Sequence, residues 1–450
     1  MARVQRQTPF LTGVIEGFYG QPWSQAERFE LFSWMASWGL NTYLYAPKDD
    51  LKHRALWRER YLAGEIEQVN ELIAACRDRS LRFIYALSPG LDIRYADDSE
   101  IDRIQDGFAQ LLDLGCEDFA LLFDDIPDRV DAASLERWGS LAAAQAHVAN
   151  RIFAWVHSRA PRGKFFFCPT PYCGRMAEDK LGGENYLAAI GRNLASEIEV
   201  FWTGPEIVSR EITAGHIQSV AELLGRKPVI WDNLFANDYD GRRFYCGPYA
   251  GRPVELRAAV GGILCNPNNE FSLNYAPLRS FAAFVFACED WDPRASYLSA
   301  LQEWQPHFET VSGPVTLEDL TLLCDCFYLP HEEGPEAEAL YQRAAALLTT
   351  DPESWSGAEE VFLRPARRLR ELCARLTELR DRRLFYALSR RIWDLREELE
   401  LLERYVTAVK AKPPLPKAIL PETFRGGFIA RLQQLLTRQS DGTVQPSWRR

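Results

Sequence analysis

Two adjacent aspartates, Asp124 and Asp125, close the short apolar run FALLFDDIP. A carboxylate beside buried apolar residues costs free energy unless it is paired or protonated. Two side by side repel, which raises the pKa of at least one. A carboxyl group that keeps its proton near neutral pH can serve as a general acid. In isolation, such a pair after a strand could simply cap the next helix, whose N-terminus favours negative charge. The choice rests on what other residues gather beside it.

Seven further apolar runs end in residues of similar chemistry. One ends in Glu16 and Gly17, followed by Phe18, Tyr19 and Trp23. APKDD supplies Lys48, Asp49 and Asp50; SPGLD follows the third run; PTPYCG supplies Tyr172; and WTGP supplies Trp202. WDNLFANDYDGRR carries Trp231, Asn233, Asn237, Asp238 and Asp240, and CNPNNEF carries Asn266, Asn268 and Asn269. Carboxylates, amides and aromatic faces together suit a sugar. Hydroxyls need paired donors and acceptors, and the C–H face of a pyranose packs on a ring. Phosphate would call for arginines or a glycine nest, and hydride transfer for a dinucleotide site, of which there is no sign. No cofactor is expected. A metal is not expected either. No histidine or third spaced carboxylate supports the aspartate pair as a magnesium site, and the C-x-C of Cys324 and Cys326 has no second pair to complete a zinc site.

The runs that carry these residues read as buried strands, rich in Val, Ile, Leu, Phe and Tyr. They end at Gly17, Pro47, Ser88, Phe123, Pro169, Thr203, Asp232 and Asn266, 29 to 46 residues apart. That rhythm fits repeated βα units. Helical patterns lie between them. Ser24 and Glu27 form a capping box before RFELFSWMASWG, with Gly39 as C-terminal cap. Ile66, Val69, Leu72, Ile73 and Cys76 share one helical face, as do Ile101, Ile104, Phe108, Leu111 and Leu112, closed by Gly115. The pattern predicts an α/β fold, a (β/α)8 TIM barrel over residues 1–291, with its active face at the strand C-termini. A doubly wound sheet competes, but EGFYGQPW after the first strand is no phosphate-binding glycine loop.

From 292 to 450 the strand signal disappears. Helical patterns cover 293–310, 316–327, 335–349, 358–380 and 382–411; KPPLPK breaks them, and an amphipathic stretch follows at 421–438. This predicts an all-α helical bundle as a second domain, which could carry a homodimer interface. Twelve arginines and eight acids interleave over 364–404, read as solvated helix faces with i,i+4 ion pairs. A net charge of −11 without a dominant basic patch in the barrel half argues against nucleic acid as a partner. The N-terminus lacks a signal-peptide apolar stretch, and no window has the length of a membrane span. Ten scattered cysteines read as buried free thiols in a reducing compartment. The expected location is cytoplasmic, with no membrane partner. His53, His147 and His216 are scattered and read as surface or structural residues.

GVIEGFYGQPW, LNTYLYAPKDD, FALLFDDI, CPTPYCG, VIWDNLFANDYD and NPNNEF, in that order over roughly residues 10–290, resemble glycoside hydrolase family 84, the O-GlcNAcase type of β-N-acetylglucosaminidase. The resemblance implies a catalytic (β/α)8 barrel. It also implies retaining exo-hydrolysis of β-linked GlcNAc from glycoconjugates or glycopeptides, with the substrate's own acetamide as nucleophile. Such substrate-assisted enzymes depart from the two-carboxylate scheme.

By the same resemblance, Asp124 orients the acetamide N–H and stabilises an oxazoline intermediate. Asp125 protonates the glycosidic oxygen and then activates water. Tyr172 bonds the acetamide oxygen, and Asn233 anchors the acetamide and the aspartate pair, with Trp231 in the pocket wall. Asp238 and Asn268 hold distal hydroxyls, and Lys48 and the backbone of Gly17 hold another. Plainer readings stand beside these. Lys48 could pair with Asp49 or Asp50, Tyr172 could pack on Cys173, and Trp231 could fill the barrel. Asn233 and Asn268 could be turn residues, and Asp238 could form an Asx-turn. The long insertion and acetyltransferase-like domain of eukaryotic relatives are absent from this sequence, which looks like a compact bacterial relative. A non-catalytic GlcNAc-binding barrel and an endo-acting hyaluronidase are the alternatives.

Overall fold

The structure, a computed structural model, describes residues 10–128, 130–288, 290–411, 415–417 and 426–447. The eight apolar runs form eight strands: β1 (Leu11–Glu16), β2 (Thr42–Tyr45), β3 (Arg82–Leu87), β4 (Asp118–Leu122), β5 (Phe165–Cys168), β6 (Ile198–Trp202), β7 (Val229–Asp232) and β8 (Gly262–Cys265). Each pairs in parallel with its sequence neighbour, and β1 closes on β8 with Leu11 opposite Gly262. Every strand residue is buried except Arg82 and Glu199, which are partly so. The strands lack a two-residue alternation because both faces are covered. Ile15, Ala46, Ile84, Phe166 and Leu264 belong to a single apolar cluster that also holds Trp231.

The helices between strands start and stop where local chemistry says they should. Gln25–Trp38 opens on the capping box: Ser24 Oγ accepts from the Glu27 N–H at 3.4 Å, and Glu27 Oε2 accepts from the Ser24 N–H at 2.7 Å. It ends at Gly39, whose φ of 78° is costly for a residue with a Cβ. Ala63–Asp78 and Ser99–Asp113 bury Val69, Leu72, Ile73 and Cys76, and Ile101, Ile104, Phe108 and Leu111, respectively. Because all eight strands run the same way, their polar C-terminal ends emerge together on one face.

The chain divides into two compact units. One comprises Met1–Asp238, Ala250–Asn269 and Phe281–Trp291; the other comprises Tyr239–Tyr249, Glu270–Ser280 and Asp292–Arg450. The division is therefore not one cut near residue 291. Two short segments, one between β7 and β8 and one after β8, group with the later residues.

The second unit holds the helices Pro293–Trp304, Leu317–Asp325, Pro335–Leu348, Ala358–Arg375, Arg382–Ala411 and Gly427–Gln433. It is not wholly helical, because two two-stranded antiparallel ribbons interrupt it, Glu309–Thr310 with Gly313–Pro314 and Leu436–Arg438 with Val444–Pro446. Turn chemistry explains both. Gly313 sits at φ 117° and its carbonyl accepts from Thr310 Oγ1 at 2.7 Å. Asp441-Gly442 forms a hairpin turn in which Asp441 Oδ1 accepts from the Thr443 N–H at 2.9 Å and Gly442 has φ 87°. Of the stretch expected to be helical over 421–438, residues 421–425 lie outside the described residues, and 436–438 is strand.

The charged residues of 364–404 mostly pair across helices rather than along one. Arg367 Nε reaches Glu403 at 2.6 Å, Arg370 Nη2 reaches Glu400 at 3.0 Å, and Arg368 Nε reaches Asp319 at 2.6 Å. All ten cysteines are free thiols, buried except for Cys288. No helix among the described residues is long and apolar enough to cross a membrane.

Candidate active site

β4 delivers Asp124 and Asp125 to the C-terminal face of the barrel, and the two carboxylates meet different surroundings. Asp124 is buried and pairs with Lys48 Nζ, 76 residues away, after β2. Burial works to raise its pKa, but the Lys48 ammonium, that hydrogen bond and Arg54 outweigh it and hold the carboxyl below its usual range. The rise expected from two adjacent carboxylates is thus reversed at Asp124, because a buried cation is closer than bulk solvent. Asp124 Oδ2 takes the ammonium; Oδ1 is buried and has no hydrogen-bond donor among the described residues. Lys48 also lies 5.7 Å from the Trp231 ring centroid.

Asp125 is exposed. Its Oδ1 accepts from the Tyr172 hydroxyl at 2.7 Å and its Oδ2 from the Tyr19 hydroxyl at 3.1 Å. Burial first, and then the Asp125 charge, pushes both phenols well above their usual range, so they act as donors throughout the physiological range. The backbone of Asp125 has φ 52°, the left-handed region, which costs about 1–2 kcal/mol for a residue with a Cβ.

The remaining expected residues lie around this pair. Gly17 has no room for a side chain: a Cβ there would sit 2.4 Å from Cζ2 of Trp231. Trp231, on β7, packs edge-on against Phe201 with centroids 5.5 Å apart. Its indole N–H donates to Asn233 Oδ1 at 3.1 Å. Asn233 also accepts from Asn266 Nδ2 at 2.9 Å and donates to the Ile207 carbonyl at 2.9 Å. It makes these bonds rather than bonds to the aspartate pair, so its place in the structure is to brace Trp231. Asp238 Oδ2 accepts from the Tyr19 N–H at 3.0 Å. Burial, and then the Asp125 charge, raises the Asp238 pKa, against that N–H bond. Asn268 is wholly buried. Its neighbour Asn269 accepts Trp23 Nε1 on its carbonyl at 2.7 Å, donates its N–H to Asn237 Oδ1 at 2.9 Å and donates Nδ2 to the Tyr19 carbonyl.

Several polar strand-end residues prove to be braces. Glu16 is fully buried; it accepts Arg28 Nε at 2.8 Å and Nη2 at 2.7 Å, the Tyr43 hydroxyl and the Trp23 N–H. Asp50 takes the hydroxyls of Tyr45 and Tyr61, both at 2.7 Å. Asp232 is fully buried in a two-point pair with Arg252, at 2.8 and 2.7 Å. Sequence reasoning left Tyr19 out of the site. Its only signal was an aromatic beside a polar strand end, yet it touches Asp125, Asp238 and Asn269. His53 is also buried: Nδ1 bonds the Ala86 carbonyl at 2.7 Å, and burial together with Lys48 pushes its pKa down to about 4. It is a neutral interior residue.

Fold and site together define a (β/α)8 barrel with a carboxylate pair and an aromatic wall on its C-terminal face. Over residues 12–318 the chain matches the family NAGidase, beta-N-acetylglucosaminidase, and it belongs to that family. It is 46% identical over 275 residues to Protein O-GlcNAcase of Rattus norvegicus and, equally, of Mus musculus. That match takes in 61% of this chain but only 30% of each relative, so the chain spans under a third of their length. Among solved structures it resembles a mutant of the Thermobaculum terrenum O-GlcNAc hydrolase with 28% identity and a TM-score of 0.76, over 88% of this chain and 83% of that one.

Proposed function

We propose that this chain is a retaining exo-β-N-acetylglucosaminidase that removes terminal β-linked GlcNAc from glycoconjugates, serine- or threonine-linked sugar on proteins among them. The observation that carries the reading is the buried Asp124 Oδ1. An ionised, buried acceptor without a donor is costly, and an amide N–H from a 2-acetamido sugar supplies the donor that none of the described residues provides. Lys48 keeps Asp124 ionised for this purpose, and with three donors its ammonium retains hydrogens for a sugar hydroxyl.

The reaction then runs in two displacements. The acetamide oxygen attacks the anomeric carbon while Asp125 gives its proton to the leaving oxygen. Asp124 accepts the N–H as positive charge develops on the ring-closed oxazoline. Water then attacks the anomeric carbon, Asp125 takes back a proton, and the acetamide reopens with the original configuration. Tyr172 donates to Asp125 and in this reading gives its hydrogen bond to the acetamide oxygen when the sugar binds. In this reading Trp231 walls the sugar pocket, and Asp238 and Asn268 serve distal hydroxyls. No step requires a cofactor or metal.

Hydrolysis of an aryl N-acetyl-β-glucosaminide tests the proposal. Progressive fluorination of the acetyl group should slow the reaction, since it drains the nucleophile. No aryl release by pure protein would refute an enzyme and favour a sugar-binding barrel; a rate indifferent to fluorination would refute acetamide participation. A panel of aryl GlcNAc, aryl GalNAc, chitobiose and a glycopeptide defines the substrate class.

A further inference from the structure

Resting on the glycosidase reading above, we propose that Arg54 is a positioning residue for the acid–base step, fixing the bend that presents Asp125. Arg54 lies in the segment after β2, and its guanidinium is buried. Nη2 donates to the Asp125 carbonyl at 2.7 Å, and Nη1 donates to Ser88 Oγ, after β3, at 3.0 Å. The guanidinium carbon lies 5.7 Å from the ring centroid of Tyr19, which follows β1 and donates its hydroxyl to Asp125. One side chain thus ties together the C-terminal ends of four neighbouring strands, and two of these three partners, the Asp125 carbonyl and Tyr19, bear on the acid–base carboxylate or its turn.

The bend needs such a tie. Asp125 sits at φ 52°, a conformation its side chain resists. A strained residue of this kind persists only when its surroundings over-determine it. The carbonyl of this left-handed residue accepts from Arg54 Nη2, and the same guanidinium lies 5.7 Å from the Tyr19 ring centroid. A planar fork does both at once; a lysine ammonium places its donors on a single nitrogen and has no planar face. The hydrogen bond from Arg54 goes to the backbone carbonyl of Asp125, while the Asp125 carboxylate is held by Tyr172 and Tyr19. The Arg54 charge also helps hold Asp124 ionised, so Arg54→Lys, which keeps that charge, carries the test of placement, and Arg54→Gln removes both.

The role has a kinetic signature that general structural support lacks. Misplacing an acid matters most when the leaving group needs a proton. Arg54→Lys and Arg54→Gln are to be assayed on two N-acetyl-β-glucosaminides, one with a very acidic aryl leaving group and one with an alkyl leaving group. The expected result is a fall in kcat/KM of roughly 10²-fold on the alkyl glycoside but less than about tenfold on the aryl glycoside. The fall should lie mainly in kcat. Equal losses on both substrates, or none, would overturn the proposal. If neither Arg54 variant folds, Ser88→Ala decides, because it removes one anchor of the guanidinium and leaves the charge. It should skew the two rates in the same direction by several-fold, and an unskewed Ser88→Ala overturns the proposal as well. A wild-type protein inactive on both glycosides would instead refute the glycosidase reading, so the two failures are distinguishable.

Discussion

Replacing Lys48 with Met should expose how Asp124 is kept ionised. The ammonium and carboxylate side chains are only 2% and 9% exposed, so solvent cannot replace the lost partner. Breaking a buried ion pair by removing one partner costs about 3–5 kcal/mol. The cost should depend on pH, and its sign is fixed. In the wild type the folded Asp124 pKa is depressed, so the pair adds stability above the ordinary aspartate value of about 3.9 and loses it as pH falls through the lower folded value. In Lys48→Met, burial is left largely unopposed and the folded pKa rises. The variant then binds a proton on folding, and its stability falls as pH rises from about 4 towards neutrality. The difference between the two proteins should therefore be small near pH 4 and approach about 3–5 kcal/mol near pH 7. Urea unfolding at both pH values measures it. The acid limb of the activity profile should move to higher pH in the variant. A stability difference that does not change with pH, or one under about 1 kcal/mol at neutrality, would show that the pair is solvated and the reasoning wrong.

Four further outcomes are expected. Asp125→Ala should lose about 10²–10⁴ in rate on poor leaving groups and far less on very acidic aryl ones, whereas Asp124→Ala should harm both; steady-state kinetics on the two substrates separates the roles. Gly17→Ala pushes a methyl to 2.4 Å from Trp231 Cζ2 and 2.8 Å from Ile15 Cγ2, which should cost about 1–3 kcal/mol and raise KM as the pocket wall shifts. Arg252→Met strands the fully buried Asp232 and should cost about 3–5 kcal/mol in chemical denaturation. Glu398, buried on the helix Arg382–Ala411, has its pKa raised by desolvation to about 7. The folded protein must ionise it in place, so stability should fall as pH rises from about 4.5 through 7, by roughly 3 kcal/mol at most. Glu398→Gln should raise Tm at alkaline pH and leave it unchanged near pH 5; a gain that is equal at both would contradict the assignment.

The barrel and the face on which its polar strand ends gather were legible in the sequence. Eight apolar runs of Val, Ile, Leu, Phe and Tyr have the length of strands buried on both faces. Parallel pairing then sends all their polar ends to one side, so Lys48, Asp124, Asp125, Tyr172 and Trp231 could be assembled without coordinates. The strands end within two residues of the expected positions because chain reversal is set locally, by Pro, Gly and Asp beside the apolar run. The ribbon at Leu436–Arg438 was missed for a related reason: an amphipathic pattern outweighed the Asp441-Gly442 turn that follows it.

Tertiary structure decided which polar groups were committed to the scaffold. Glu16, Asp50 and Asp232 looked as available as Asp124, but Arg28, Tyr45, Tyr61 and Arg252 consume them. Asn233 supports Trp231, and Arg54, one residue of a basic PKDDLKHR stretch, reaches across to Ser88 and Asp125. Adjacent aspartates suggested at least one raised pKa; a lysine 76 residues away lowers that of Asp124 instead. The division has a physical cause. Strand and turn formation depend on neighbours in the chain, so residue type and spacing determine them. The ionisation and pairing of a buried carboxylate depend on which charge lies a few ångströms away, and only the closed barrel sets that.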